Sequence, residues 1–304
     1  MERGQDAVSR AEARIRAQGN IIELKEKKKL VVMSDLHRGI GNGSDNFARN
    51  QMIFLSALQH YYREGYSYLE LGDGDDLWEN KRMDAIIREY SEIFRLLGAF
   101  YKRGRLYMVY GNHDHIKKSK EKIHTSWCHM RDSCLGHYSP LFTDFTAQEG
   151  YIIRQSGSKR EFLALHGHQG DFWNDTLAPV SAFLVRYVWG PLERIGVKNP
   201  GDESINQRVR NHQEKRMMKW ADKRKQELIA GHTHQPCFPC EKDQFYYNCG
   251  CGVKNGYITA LEFDKEKVSL VKWQVEPDAC GVLKVTREVL RDELKQNVCS
   301  MKGF

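Results

Sequence analysis

The sequence predicts an α/β protein, on three observations. Apolar runs of strand length alternate with segments whose apolar residues recur at helical spacing, which implies parallel strands joined by right-handed crossovers. Five of those runs end abruptly in Asp, Asn or His. With 304 residues, 40% apolar and 11% aromatic, the chain can bury a sizeable core, so global disorder is not expected and one large domain with insertions accounts for the length.

Residues 6–29 mix Ala, Glu, Arg and Lys and read as a helix or frayed arm, so 1–29 is set apart as an N-terminal helical arm. The first apolar run, Val31-Val32-Met33, closes on Ser34-Asp35-Leu36-His37-Arg38-Gly39. A Gly/Asn/Ser-rich loop then leads to an amphipathic helix over 45–64, with Phe47, Met52, Leu55, Leu58 and Tyr62 at helical spacing. The second run, Tyr68-Leu69-Glu70-Leu71, enters Gly72-Asp73-Gly74-Asp75-Asp76. A second helix over 83–101 buries Ile86, Ile87, Tyr90, Ile93, Phe94 and Leu97, and Gly104 stops it before the third run, Leu106 to Tyr110, which ends in Gly111-Asn112-His113-Asp114. Ligands of such βαβαβ sheets bind outside the carboxyl ends of the strands, where these motifs stand.

Residues 115–145 read as an irregular insertion near the site. Two strands joined by Ser156-Gly157-Ser158 lead through Phe162-Leu163-Ala164-Leu165 to His166-Gly167-His168. Residues 176–195 are apolar on nearly every side, and a basic helix over 203–225 follows the turn Asn199-Pro200-Gly201-Asp202; together they form a helical cap inserted at about 172–226. The fifth run, Leu228-Ile229-Ala230, enters Gly231-His232-Thr233-His234. Short strands over 245–248, 257–263 and 268–273 complete a domain of 30–280, and a helix over 284–298 occupies the C-terminal segment 281–304.

A net charge of +7 favours anionic partners, although a solvated basic surface produces the same count. The first twenty residues are charged throughout, with no apolar signal core, and residues 180–189 are broken by Arg186, well short of the roughly 20 apolar residues of a spanning helix. A cytoplasmic protein is expected. In a chain of this size the eight cysteines are expected to be free thiols.

Strand ends carrying Asp, Asn and His, without a thiolate, point to one polynuclear metal site. Singly, each such residue is more often a cap, a surface charge or a satisfied core group; their joint placement makes the case. In order, Asp-x-His, Gly-Asp-x-x-Asp, Gly-Asn-His-Asp, His-Gly-His and Gly-His-Thr-His resemble the five signatures of the calcineurin-like metallophosphoesterases, over about residues 30–272. The resemblance implies a sandwich of two mixed β-sheets flanked by helices, with the site at one edge. It also implies a dinuclear phosphoesterase: Asp35, His37 and His234 hold one divalent metal, Asn112, His166 and His232 the second, and Asp73 bridges them. Carboxylate plus neutral imidazole suits manganese first, with iron or zinc also fitting. Two such ions about 4 Å apart can share a hydroxide and clamp the oxygens of an in-line displacement at phosphorus. By the same resemblance His113 contacts the phosphoryl group or protonates the leaving oxygen, and Asp76 orients it. His168 competes with His166 as ligand, and Arg38 stands as a phosphate clamp against a plain surface arginine.

The cap's position and Asp76-Leu77-Trp78 are similar to those of the UDP-2,3-diacylglucosamine hydrolases, which cleave a lipid-nucleotide pyrophosphate at the membrane surface. Those enzymes carry Gly-Asn-Arg-Asp where this chain has His113, which puts the lipid reaction in doubt. The implied substrate is an anionic phosphoester or pyrophosphate, lipid-linked or nucleotide-sugar substrates included, with peripheral membrane contact through the cap. The alternatives are a protein phosphatase or nuclease, nucleic acid not being favoured, and a non-catalytic scaffold, which should have lost ligands. Cys237, Cys240, Cys249 and Cys251 lack the spacing of zinc knuckles and are expected to be core thiols.

Overall fold

The computed structural model describes residues 2–126, 129–131, 138–169, 202–241 and 243–293. In chain order its elements are α1 (Glu2–Gln18), β1 (Ile21–Leu24), β2 (Lys29–Met33), α2 (Gln51–Arg63), β3 (Tyr66–Leu71), α3 (Met83–Glu89), α4 (Ser91–Lys102) and β4 (Leu106–Val109). There follow α5 (Lys120–Ser126), β5 (His129–Arg131), β6 (Tyr138–Pro140), β7 (Gly150–Gln155), β8 (Glu161–Leu165), α6 (Asp202–Arg224) and β9 (Glu227–Ala230). The last strands are β10 (Tyr246–Asn248), β11 (Tyr257–Asp264), β12 (Lys267–Pro277) and β13 (Leu283–Asp292).

β2 is apolar throughout because it is covered on both sides. Alternate strand residues face opposite ways, so Leu30 and Val32 enter one core while Val31 and Met33 enter another. β2 sits inside a six-stranded sheet of order β13-β12-β11-β2-β3-β4, parallel from β2 to β4 and antiparallel beyond. A five-stranded sheet, β1-β7-β8-β9-β10, faces it and is also mixed. Leu30, Val32, Leu69 and Phe263 meet Ile153, Phe162, Ile229 and Tyr247 between the sheets. Outside, α2, α3 and α4 cover one sheet with Phe54, Ile86 and Phe94, while α1 and α6 cover the other with Val8, Ile15, Met217 and Trp220. The expected sandwich of two mixed sheets with flanking helices is therefore the fold. β2, β3 and β4 are mutually parallel in one sheet and β8, β9 and β10 in the other, and the motifs follow the carboxyl ends of β2, β3, β4, β8 and β9.

Several local expectations change. The helix expected over 83–101 is two helices, broken at Tyr90 (φ −103, ψ 38), whose ring packs edge-on against Phe47 and whose hydroxyl donates to Asp45 at 2.5 Å. α2 turns a face one residue away from the one expected: Ile53, Phe54, Ala57, Leu58 and Tyr61 are buried, while Met52 is 65% exposed. The N-terminal arm is helical only to Gln18; Ile21–Leu24 pairs in parallel with β7 and belongs to the sandwich. The segment after His113 is not wholly irregular, since it contains α5 and the β5–β6 pair.

The C-terminal helix expected from 284 is instead β13. Its helix-forming Leu, Lys, Glu and Arg residues are overridden by an edge pairing with β12, in which Val275 lies opposite Val285 and Lys272 binds Glu288 at 2.9 Å. Residues 294–298 of that helix lie outside the described residues, as does the apolar cap segment 176–195. The basic half of the cap is α6, with Met217 and Trp220 buried and Lys215, Lys219 and Lys223 exposed. Among the described residues no helix is long and apolar enough to cross a membrane.

The inter-sheet core should be the stability determinant. Phe162, fully buried and in ring contact with Tyr247 and Phe263, is expected on replacement by Ala to cost about 3–5 kcal/mol. Urea unfolding measures it, and a loss below about 1 kcal/mol would contradict the packing.

Candidate metal centre

The strand-end loops meet because main-chain pairing continues past the last strand residues. Asp35 N donates to Gly72 O at 3.1 Å, His37 N to Asp73 O at 2.9 Å and Arg38 N to Gly74 O at 3.0 Å, and Gly231 N donates to His166 O at 3.0 Å. Immediately after each strand the chain reverses. Asp35, His37, Asp73, His232 and His234 all adopt positive φ, between 49° and 66°. Such backbone costs on the order of 1–3 kcal/mol per residue and persists where surrounding structure enforces it. Glycines provide the clearance. A Cβ on Gly72 would lie 2.5 Å from His166 Nδ1, one on Gly231 2.6 Å from Asp35 Oδ2, and one on Gly111 would overlap the Asp73 carboxylate.

Two donor groups lie between the strand ends, Asp35, His37 and His234 in one and Asp73, His166 and His232 in the other; His37, Asp76 and His113 form a third at the rim, and the donor atoms in each lie within 4.8 Å of one another. His234 Nε2 is 3.1 Å from Asp35 Oδ1 and 3.2 Å from His37 Nε2. Asp73 Oδ2 is 3.2 Å from His166 Nε2 and 3.8 Å from His37 Nε2, so one oxygen faces the first and second groups. Asn112, 3% exposed, stands on a loop that lies against the second group, since the next amide, His113 N, donates to Asp73 Oδ1 at 2.8 Å.

Hydrogen bonds orient the donors. His166 Nδ1 lies 2.9 Å from the Leu71 carbonyl, which can only accept; Nδ1 therefore carries a hydrogen and Nε2 is left to face Asp73. Asp35 Oδ2 accepts from His232 N at 2.8 Å and Ser34 Oγ at 2.5 Å, leaving Oδ1 turned to the imidazoles. Burial alone would raise the Asp35 and Asp73 carboxyls, but His234 and His166 hold the first, and His166 and His113 the second, well below the usual range. Burial and neighbouring imidazoles push His232 down to about 3. His168 is also buried, yet stands in no donor group among the described residues.

His113 sits at the rim. Its Nδ1 is 3.2 Å from Asp76 Oδ1, Trp78 stacks on its ring at 4.1 Å, and His37 meets it edge-on at 4.6 Å. Burial would lower its pKa, but Asp76 and Asp73 outweigh burial and raise it to about 9.

Arg38 is neither clamp nor surface residue. Fully buried, it grips Glu70 through both terminal nitrogens, at 2.8 and 2.9 Å, and Asp75 through Nε at 2.7 Å. Lys117 and Asp114 complete this charged cluster beneath the site. The one sequence signal for it was Glu70, a carboxylate inside an apolar run. Cys249 and Cys251 are buried and Cys237 and Cys240 half-buried; all four are thiols outside any disulfide, and none joins a donor group among the described residues.

The profile of the calcineurin-like phosphoesterase family matches residues 28–236, well over half of the chain, and the chain belongs to that family. Membership supports metal-dependent phosphoester hydrolysis as the general activity, with divalent metal ions as cofactors. No curated protein matches the chain. Among solved structures, Vps29 from Cryptosporidium parvum is similar at 13% identity and TM-score 0.37, over 87% of this chain and 98% of that one. Chaetomium thermophilum Vps29 is similar at 12% identity and TM-score 0.36, over 86% and 96%. A cold-active protein-tyrosine phosphatase of Shewanella is similar at 14% identity and TM-score 0.39, over 90% and 83%. At that overlap none of the three bears on activity.

α6 touches the site through Glu214, which accepts from the Thr233 hydroxyl between His232 and His234 at 3.4 Å. Burial raises its carboxyl to about 7, despite hydrogen bonds from Thr233 and Tyr246 that lower it. Its unfolded value is about 4.3, so the native state holds the extra proton, and this group's contribution to stability falls as pH rises from about 4 to 7 and is flat above. Glu214→Gln should remove that slope. Thermal melts should show Tm of the variant gaining on wild type between pH 5 and pH 8; a constant difference would show that Glu214 does not titrate there.

Proposed function

We propose that the chain hydrolyses a phosphoester or pyrophosphate bond at a pair of divalent metal ions. Supporting this is one observation above others: Asp35 Oδ1, Asn112 Oδ1 and His166 Nε2 are buried and form no hydrogen bond. Buried acceptors left without a donor are costly, and a cation is the partner that suits carboxylate, amide oxygen and imidazole together. In this reading Asp35, His37 and His234 hold one ion, Asn112, His166 and His232 the other, and Asp73 spans both, with manganese the first candidate and iron or zinc the others.

Bound there, the metals would supply Lewis acidity toward the phosphoryl oxygens and a water acidic enough to attack near neutral pH. The side chains do the rest. Asp35 and Asp73, held ionised, are ready as ligands without losing a proton first. Asp76 raises the His113 pKa and takes Nδ1, Trp78 fixes the plane of the ring, and the remaining nitrogen is left to donate to the departing oxygen.

The substrate reading stays at the level of an anionic phosphoester or pyrophosphate. Lys215, Lys219 and Lys223, exposed one helical turn apart on α6, suit such a substrate or an acidic membrane face. A hydrolysis panel with added Mn2+ decides among classes: a phosphomonoester, a phosphodiester, RNA, a nucleotide-sugar pyrophosphate and a lipid-linked one. Silence across the panel would return the chain to the scaffold reading.

Two substitutions test the assignments. His113→Ala should keep metal content and lower kcat by roughly 100-fold or more, as loss of a general acid does; unaltered turnover would remove His113 from the mechanism. Asp73→Asn should lose metal, and two ions per chain by elemental analysis of the purified variant would rule out its role as bridge.

A further inference from the structure

The charged cluster beneath the site contains a lysine with no part in the chemistry. Lys117 follows the Gly-Asn-His-Asp motif by three residues and is 1% exposed, an unusual place for an ammonium group. Its Nζ lies 2.5 Å from Asp114 Oδ2, 2.8 Å from Asp75 Oδ2 and 3.5 Å from Glu70 Oε1. Asp114 is the hub. Oδ1 accepts from Gly111 N at 2.7 Å and Asp73 N at 3.3 Å, and Oδ2 accepts from Gly74 N at 3.0 Å. One carboxylate thereby ties the loop bearing Asn112 to the loop bearing Asp73.

We propose that Lys117 is a positioning residue of the metal centre: by gripping Asp114 from below, it fixes the carboxylate that sets the spacing between the Asp73 and Asn112 loops. This rests on the metal-site reading above and deepens it. Two features support a positional role over a merely stabilising one. Apart from Lys117, Asp114 bonds to main-chain amides of the ligand loops rather than to the core, so any rotation of the carboxylate is passed to Asp73 directly and to Asn112 through the adjoining Gly111. The cluster also holds two cations, Arg38 and Lys117, against three carboxylates, Glu70, Asp75 and Asp114, and Arg38 is taken up by Glu70 and Asp75. Among the described residues Lys117 is thus the cation in ion-pair contact with Asp114. Partners behind metal ligands typically alter metal affinity by 10–100-fold.

The test is calorimetric titration of the full-length, metal-stripped chain with Mn2+ alone. Lys117→Met keeps the length of the side chain and removes its charge; its folded fraction should bind Mn2+ at least 10-fold more weakly than wild type. Phe263→Leu, a cavity variant between the sheets and far from the site, controls for lost stability and should keep wild-type affinity at a comparable drop in Tm. Should Lys117→Met fail to fold, Asp114→Asn, which keeps the shape of the hub and removes its charge, is held to the same 10-fold criterion. A lower Tm with Mn2+ affinity within about twofold of wild type would overturn the proposal, leaving Lys117 a stabilising residue only. A wild-type chain that takes up no Mn2+ would instead overturn the metal-site reading itself, and the positional role with it.

Discussion

The site depends on how closely the strand-end loops can approach. Side chains as short as Asp and Asn reach a common centre only if their main chains nearly touch, and two constraints allow this. Ladder-like hydrogen bonds run up to five residues past β2 and three past β3, as between Asp35 and Gly72 and between His37 and Asp73. The chain then turns through left-handed conformations at the donor residues themselves, which no bulky neighbour would tolerate. Gly72, Gly111 and Gly231 each stand where a methyl group would strike a donor or the residue beside it. Strain at five donor positions is affordable only on a scaffold as heavily packed as this four-layer sandwich.

Charge is the second constraint. Three carboxylates and five imidazoles make up the donor groups, with Arg38, Glu70, Asp75, Asp114 and Lys117 directly beneath, most of them out of solvent. Ions buried at such density are stable only when each has a partner of opposite sign and when lone pairs are met. In the lower cluster every carboxylate has a cation in reach; Asp75 Oδ2, which forms no hydrogen bond, lies 2.8 Å from Lys117 Nζ. The upper set leaves Asp35 Oδ1, Asn112 Oδ1 and His166 Nε2 without hydrogen bonds, and its carboxylates have only imidazoles beside them. The difference between the two clusters is therefore the permanent cations, Arg38 and Lys117, that the lower one contains and the upper one lacks.

Much of this was legible in the residues. The five apolar runs are strands because continuous Val, Leu, Ile and Met suit strands buried on both faces, and the polar triplets after them mark where the sheet ends. What escaped was whatever depended on tertiary partners. Leu283–Asp292 has the composition of a helix and becomes a strand because β12 offers an unpaired edge. The face of α2 was misread by one residue, since Met52 and Ile53 are equally apolar and only packing chooses between them. Arg38, one residue after a ligand, looked like a phosphate contact; that it turns inward could be read only with Glu70 and Asp75 in place. Glu70, a lone acid within Tyr68-Leu69-Glu70-Leu71, signalled a buried cation, but not which one.

Family membership and geometry divide the remaining question between them. Family membership supports the general chemistry, and the donor groups carry the proposal of where on this chain it occurs, but neither reaches the substrate. The apolar segment of the expected cap lies outside the described residues. What the described part does show is a link: α6 packs on the five-stranded sheet through Met217 and Trp220, and its Glu214 accepts from the hydroxyl of Thr233, flanked by two donors. Thr233 also receives a hydrogen bond from Asn248 Nδ2 at 2.9 Å, so the loop that carries His232 and His234 is held from α6 on one side and from the end of β10 on the other.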